Sequence, residues 1–301
     1  MKRLTIFTPT YNRAYILPKL YESLCEQTCQ DFEWLIVDDG STDNTRELVD
    51  GWIHEKVISA RYFYQENAGK MMAHNKAVNE AYGELFMCVD SDDHLNSESV
   101  VKDTLAFWDE QNEKLGDSSS DLCGLIAFKQ IGQKIMSFPE GMMKAHLSEL
   151  LAKGFRGETS TVYKRVILER YPFPYFPGEK FVPDFYLCDQ IDRDYKLLLF
   201  PYYMQNCRYQ VGGYSSDFVR LLYNNPCGYR AYRNQCIRFK KKGYLKDVIC
   251  YVALSLRIRD GKMLSMAANL PMTLLLFPFG VLKYFYDNYR LSRTKDEGRR
   301  S

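Results

Sequence analysis

Apolar stretches return along the first third of the chain at intervals of about 25 to 30 residues, at positions 4–8, 32–37, 60–64 and 85–89. Amphipathic stretches lie between them, at 16–25, 45–52 and 71–81. In the first of these, Ile16, Leu17, Leu20, Leu24 and Cys25 fall on one helical face. Short apolar runs alternating with helical segments predict βαβ units and a mostly parallel sheet. In such sheets, ligands bind beyond the carboxyl ends of the strands.

Further along, the pattern predicts a helix over 97–113, a polar loop over 112–120 and a strand over 122–129. The Gly- and Thr-containing stretch 154–163 is expected to be a mobile loop. Pro172, Pro174 and Pro177 oppose regular structure, and helical spacing resumes from Asp184 through Leu187 to Ile191. The last strongly apolar run, 270–282, has 13 residues and two prolines, short of the ~20 needed to span a bilayer. Widened to 263–286 it is long enough, but Lys283 and the prolines oppose a span. Arg257, Arg259 and Lys262 precede the run, and Arg290, Arg293 and Lys295 follow it. Apolar surface beside a polybasic flank predicts an anchor lying on the membrane. A buried core helix and a true span are the alternatives.

A chain of 301 residues, 46% hydrophobic and 26% charged, is long enough for a full core and is not disordered by composition. Its nine cysteines form no CxxC pair and no zinc-like spacing. The N-terminal residues enter a strand at once, with no secretory pattern. Reduced thiols and a cytoplasmic location are therefore expected. The net charge of +2 conceals a division: residues 201–301 carry 18 Lys/Arg against 6 Asp/Glu, and the first 200 residues are net acidic. Such asymmetry points to an anionic partner for the C-terminal part. A membrane surface suits the adjoining apolar run; a nucleic acid leaves that run and an acidic crevice unexplained.

Three polar clusters follow predicted strands: Thr8-Pro9-Thr10-Tyr11-Asn12, then Asp38-Asp39-Gly40-Ser41-Thr42-Asp43, then Asp90-Ser91-Asp92-Asp93. Each alone can be a turn or a helix cap. Three at the same end of a parallel sheet converge on one crevice. Crowded carboxylates raise one another's pKa unless a cation or strong donors lie between them. No P-loop or GxGxxG is present to cradle phosphate. The four histidines assemble no recognisable metal site, and His94 reads as a neighbour of a helix cap.

The stretches FTPTYNRAYILPKLYESLCEQTCQDFEWLIVDDGSTDNT and QENAGKMMAHNKAVNEAYGELFMCVDSDDHL closely resemble the family-two glycosyltransferases, which have the GT-A fold and invert anomeric configuration. The resemblance is specific over roughly residues 3–96 and looser over 97–220. It implies an α/β fold, a mixed and mostly parallel sheet flanked by helices. A domain over 1–220 would divide into a nucleotide-sugar half (1–96) and an acceptor half (97–220). Residues 221–301 would form a helical, basic and apolar extension associated with the membrane.

By the same resemblance Thr8, Pro9 and Tyr11 line the base and ribose of the donor. Asp39 accepts from the uracil imide with Asp38 nearby, and Asp90-Ser91-Asp92 is the DxD element. Asp92 then ligates a divalent metal, while Asp90 contacts the ribose or a metal-bound water. Asp93 touches the donor sugar on the acceptor side or caps the next helix. A nucleoside diphosphate is concentrated negative charge, so carboxylates bind it only through a hard cation, Mn2+ or Mg2+, which steadies charge on the leaving group. Metal-free nucleotide binding is the competing interpretation. Lys70, after Gly69, either adds a cation near the diphosphate or is a surface lysine.

An inverting transfer needs a base for the acceptor hydroxyl. Members of the family place an acid, often a Glu-Asp pair, at the start of a helix well after the DxD. Asp184 matches, with Asp189 as fallback, but Pro183 stands where the first acid of the pair would be. Glu179 and Lys180 fall on the acceptor side. Residues 210–216 resemble a loop that closes over the donor, although a simple turn explains them equally well. The expected function is transfer of a sugar from a nucleotide-diphosphate donor, UDP-linked before others, to a hydroxyl of a lipid-linked or growing surface glycan at the inner face of the membrane. Rivals are a noncatalytic glycan-binding or scaffold subunit and a sugar-phosphate nucleotidyltransferase. The latter's glycine-rich start after the first strand is missing.

Overall fold

The computed structural model describes residues 2–207 and 218–297. Its first strand, β1 (Leu4–Thr10), runs parallel between β2 (Phe32–Asp38) and β4 (Leu85–Cys88), and β3 (Ala60–Tyr64) continues the parallel set beyond β2. Nearly every residue of β1 and all of β2 are buried, as expected of parallel strands covered on both faces. Helices α1 (Leu17–Cys25), α2 (Thr45–Glu55) and α3 (Lys70–Glu80) supply the crossovers. Pro18 stands in the first turn of α1, where its missing N–H has no helical partner to lose. Tyr21 of α1 stacks on Trp52 of α2 at 4.3 Å and on Trp34 of β2 at 5.9 Å, which locks both helices to the sheet.

The remaining strands are β5 (His94–Leu95), β6 (Leu122–Gln130), β7 (Lys144–Ala145), β8 (Thr159–Lys164) and β9 (Lys196–Asn206), with helix α4 (Val100–Leu115) between β5 and β6. Among the described residues they complete a nine-stranded sheet in the order β3-β2-β1-β4-β8-β6-β9-β5, with β7 paired to β9. The stretch expected to be a loop at 154–163 thus contains most of β8. Its Ser160 and Val162 point inward while the residues between them are less buried, a two-residue alternation that the flanking glycines conceal. β8 is antiparallel to both β4 and β6. Consequently β6, like β1 to β4, delivers its carboxyl end to the same edge.

β9 carries no sequence signal of its own because Pro201 interrupts it. The parallel ladder with β6 shifts register between Ile126 and Phe128, where β9 advances from Leu199 to Tyr203. Pro201 sits in that irregularity, where a missing N–H is tolerated.

The chain divides into two compact units, Met1–Phe173 with Leu187–Val211, and Pro174–Tyr186 with Gly212–Ser301. Against a boundary expected at residue 220, residues 174–186 and those from Gly212 onward group with the second unit. Within that unit, both carboxylate oxygens of Glu179 accept backbone N–H groups, from Cys227 at 2.7 Å and Gly228 at 2.8 Å. They cap the helix Pro226–Arg238, and the backbone N–H of Lys180 donates to Asn225 Oδ1 at 2.8 Å.

The second unit packs helix Pro226–Arg238 against Tyr244–Ile258, and Tyr244–Ile258 against Phe277–Glu297. Its buried centre is Ile237, Val248 and Tyr251. Arg230 grips Asp260 through two bonds of 3.0 and 2.6 Å, and Arg233 holds Asp247 at 2.6 Å. The apolar run 263–286 is spread over three helices, Met263–Met266, Leu270–Leu275 and the start of Phe277–Glu297. No described helix is long and apolar enough to cross a membrane. Residues 210–216, expected to form a donor loop, lie outside the described residues, as do the side chains of Arg293 and Lys295.

Candidate active site

The loops after β1 and β2 are tied into one structure. Asn12, at φ 53°, adopts a left-handed conformation that asparagine tolerates. Its Oδ1 accepts from the N–H of Thr42 at 2.7 Å and of Asp43 at 3.3 Å, while its own N–H donates to Ser41 Oγ at 2.8 Å. Asp43 receives Ala14 N–H at 3.1 Å and the Thr45 hydroxyl at 2.5 Å. Despite partial burial, these bonds hold its carboxyl below the usual range.

Asp38 and Asp39 are both buried and both engaged. Asp38 accepts Ser41 N–H at 2.7 Å and Tyr62 Oη–H at 2.6 Å. Burial first, and then this bond to Asp38, push the Tyr62 hydroxyl well above its ordinary pKa. Asp39 accepts Gln65 Nε2 at 2.7 Å, Ala68 N–H at 2.8 Å and Gly69 N–H at 2.8 Å. These bonds fold the segment 65–69 across the end of β2. At Gly40, φ is +90° and an added Cβ would come within 2.9 Å of Asn67 N, so that close approach requires glycine.

The folded segment delivers Lys70, the first residue of α3, to the third cluster. Lys70 Nζ lies 2.6 Å from Asp90 Oδ1, whose side chain is 33% exposed. Burial alone would raise the Asp90 pKa, but Lys70 and Lys129 outweigh it and hold the carboxyl at about 2. Lys129, near the carboxyl end of β6, lies 2.7 Å from Asp93, which is almost fully buried. Burial would lower the Lys129 pKa, yet Asp90 and Asp93 raise it and keep it charged. Two lysines thus neutralise two of the three carboxylates.

Asp92 is the exception. Burial, then the charges of Asp90 and Asp93, raise its pKa. A partly buried carboxylate facing like charges is a donor suited to a hard cation. Among the described residues no group of three or more His, Cys, Asp or Glu closes around a metal. A cation held by Asp92, with Asp90 beside it, would be one that takes one or two carboxylates and completes its shell from phosphate and water, as Mg2+ does.

The other expected residues are placed differently. Thr8 is buried, and its Oγ1 accepts Trp34 Nε1–H at 3.0 Å. Pro9 and Tyr11 are the more exposed residues of that segment. Ser91 is buried in the turn closed by Asp93 N–H to Asp90 O at 2.9 Å. Asp184 is exposed and belongs to the second unit, whereas Asp189 belongs to the first. Sequence reasoning missed Lys129, although a lone lysine ending the strand LCGLIAFKQ is the signal that marks it. Arg13, which adds positive potential at both Asp90 and Asp92, was also missed.

Beneath Lys70, His74 of α3 meets the rings of Phe7, Phe86 and Phe173 edge-on at 5.9, 5.4 and 5.4 Å. Its Nδ1 is buried with no hydrogen-bond partner among the described residues. Burial, then Lys70, lower its pKa to about 3. The unfolded chain takes up this proton below its ordinary pKa of about 6.5, while the native state resists until about pH 3. Stability from a neutral His74 is thus complete above pH 6.5 and is lost as pH falls toward 3. His74→Phe is expected to remove about 2 kcal/mol of destabilisation between pH 7.5 and pH 5, read from urea unfolding at the two pH values. Parallel losses in both proteins would show that His74 is not the titrating group.

Residues 5–121 match the model of Glycosyl transferase family 2. The poly(ribitol-phosphate) beta-N-acetylglucosaminyltransferase TarS of Staphylococcus aureus is 29% identical over 185 residues, covering 60% of this chain and 30% of that protein. A GalNAc(5)-diNAcBac-PP-undecaprenol beta-1,3-glucosyltransferase of Campylobacter jejuni is 28% identical over 180 residues, 58% of this chain and 55% of that one. The chain therefore spans less than two thirds of either relative. In three dimensions, S. aureus TarS 1–349 in complex with UDP-GlcNAc matches with a TM-score of 0.57 at 15% identity, over 98% of this chain and 92% of that one. The mannosyltransferase PcManGT of Pyrobaculum calidifontis, in complex with GDP-Man and Mn2+, matches at 0.54 and 18% identity, over 97% and 83%. Both likenesses concern the fold, which is that of the GT-A glycosyltransferases.

Proposed function

Residues 5–121 match the model of Glycosyl transferase family 2 on a GT-A fold, and from that premise we propose that this chain transfers a sugar, with inversion, from a UDP-sugar to a hydroxyl of a lipid-linked or growing surface glycan. The observation that carries this reading is the third cluster. Asp90 and Asp93 are each paired with a lysine, and Asp92 is left among like charges at the end of β4. TarS is a relative whose solved complex contains UDP-GlcNAc, and the C. jejuni relative is named for an undecaprenol-linked substrate. They support a uridine donor and a membrane-presented acceptor respectively. A peripheral position at the inner face of the membrane follows from that acceptor.

Asp92, with Asp90 beside it, would hold Mn2+ or Mg2+. When bound, the cation supplies charge stabilisation for the departing diphosphate. Pro9, Tyr11 and Asp39 serve the nucleotide, Asp39 chiefly by fixing the loop that brings Lys70 forward. Lys70 adds positive charge on the diphosphate side, and Lys129 holds Asp93 at 2.7 Å on the side of the donor sugar. Asp184 removes the proton of the attacking hydroxyl, with Asp189 as the alternative.

A thermal-shift screen of nucleotide sugars, with and without Mn2+, tests the reading. One uridine-linked sugar should raise the melting temperature, and more so with the cation. Binding without turnover of any acceptor would favour the noncatalytic reading that Pro183 keeps open, and no shift with any nucleotide sugar would overturn the donor assignment.

A further inference from the structure

Over residues 277–292 the helix Phe277–Glu297 has a buried side and, opposite it, an exposed apolar one. One side packs into its own unit. Gly280 sits so close to the helix Tyr244–Ile258 that an added Cβ would come within 2.3 Å of Val252 Cγ1. Two turns on, buried Asp287 accepts from Tyr223 Oη–H at 2.6 Å and Lys283 Nζ at 3.0 Å. At 100° per residue, Phe279, Leu282, Phe285, Tyr286 and Tyr289 fall within about 120° of arc on the other side. All five are more than half exposed, Leu282 at 67% and Phe285 at 64%. Leu275, on the helix before, is 66% exposed as well. A contiguous stripe of large apolar side chains on a soluble surface marks a contact site.

The charge around the stripe narrows the choice of partner. Arg259 hydrogen-bonds the Tyr284 hydroxyl and lowers its pKa, so a guanidinium borders the helix. Lys262 and Arg290, the latter next to Tyr289 in the stripe, are exposed. The acids among residues 257–292 are Asp260 and Asp287, and both are already ion-paired, to Arg230 and Lys283. The rim is therefore net positive.

We propose that this stripe lies in the surface of an anionic lipid bilayer, with the helix in the membrane plane, its Phe and Leu side chains below the headgroups and its tyrosines at their level. A second copy of this chain fits less well, because isologous pairing brings the same cationic rim against itself. The inference rests on the membrane-presented acceptor only for its purpose; its support is the helix and its rim.

Flotation of the full chain with vesicles tests it, using phosphatidylcholine alone and phosphatidylcholine with 30% phosphatidylglycerol. The protein should float with the anionic vesicles, and at least about tenfold less with neutral ones or in 0.5 M NaCl. Leu282→Glu combined with Phe285→Glu should lose at least about tenfold of that binding. Because both side chains are mostly exposed, the melting temperature should hold within a few degrees. Failure of the parent chain to float, or unchanged flotation of the double variant, would overturn the proposal. So would a dimer in light scattering that the double variant dissociates, since a second copy would then cover the stripe. UDP binding measured on the same preparation separates this result from the transferase reading: flotation without UDP binding sinks that reading and leaves this one standing.

Discussion

Replacing Asp92 with alanine is expected to lower sugar transfer by about 10²–10³-fold, the scale on which removing a group that stabilises leaving-group charge acts. The expectation follows from how the three carboxylates are distributed. Asp90 is held by Lys70 and Asp93 by Lys129, so each already belongs to a local ion pair. Asp92 has burial and two like charges against its ionised form, which is unfavourable for the isolated protein and favourable once a cation arrives. Its removal should therefore leave the fold intact, or slightly more stable, while the gain in UDP affinity on adding Mn2+ disappears. Transfer within a few-fold of the parent under saturating Mn2+ would sink the assignment and move the cation to Asp90.

Asp184→Asn is expected to lower kcat by about 10²–10⁴-fold, the range for loss of a positioned general base, with little change in KM for the donor. Asp184 is exposed, immediately before the helix Phe185–Ile191, so the amide has room and the melting temperature should be unchanged. Pro183, in place of a first acid, makes this the more exposed of the two assignments. Near-normal turnover in Asp184→Asn with a deep loss in Asp189→Asn would transfer the role.

The parallel part of the sheet was legible because its strands are buried on both faces and separated by helices with a clear apolar side. Leu17, Leu20 and Leu24 show it in α1, and the short runs around Ile6, Ile36 and Met87 show it in the strands. Their polar ends were legible for the same reason, since a carboxylate directly after a buried strand is conspicuous. The antiparallel part was less so. In β8 small polar residues alternate with Val162 too weakly to stand out, and Pro201 breaks the pattern of β9 at a bulge that only its partner strand explains.

Long-range pairing was the harder limit. Thr8 reads as a crevice residue until Trp34 is seen to donate to its hydroxyl. Glu179 reads as an acceptor-side acid until Cys227 and Gly228, almost fifty residues away, are seen donating to it. Lys129 acquires meaning only when an antiparallel strand places the end of β6 beside the end of β4. No local pattern encodes these partnerships, which arise from the register of the whole sheet and from helix ends that need capping.

The central claim is that the crevice at the ends of β1, β2 and β4 binds a uridine nucleotide through a cation held by Asp92. Calorimetric titration of the full chain with UDP, in the presence and absence of Mn2+, tests it most directly. Binding should tighten at least about tenfold on adding Mn2+, and that gain should vanish in Asp92→Ala. Absence of UDP binding under both conditions, or equal affinity with and without the cation, would contradict it.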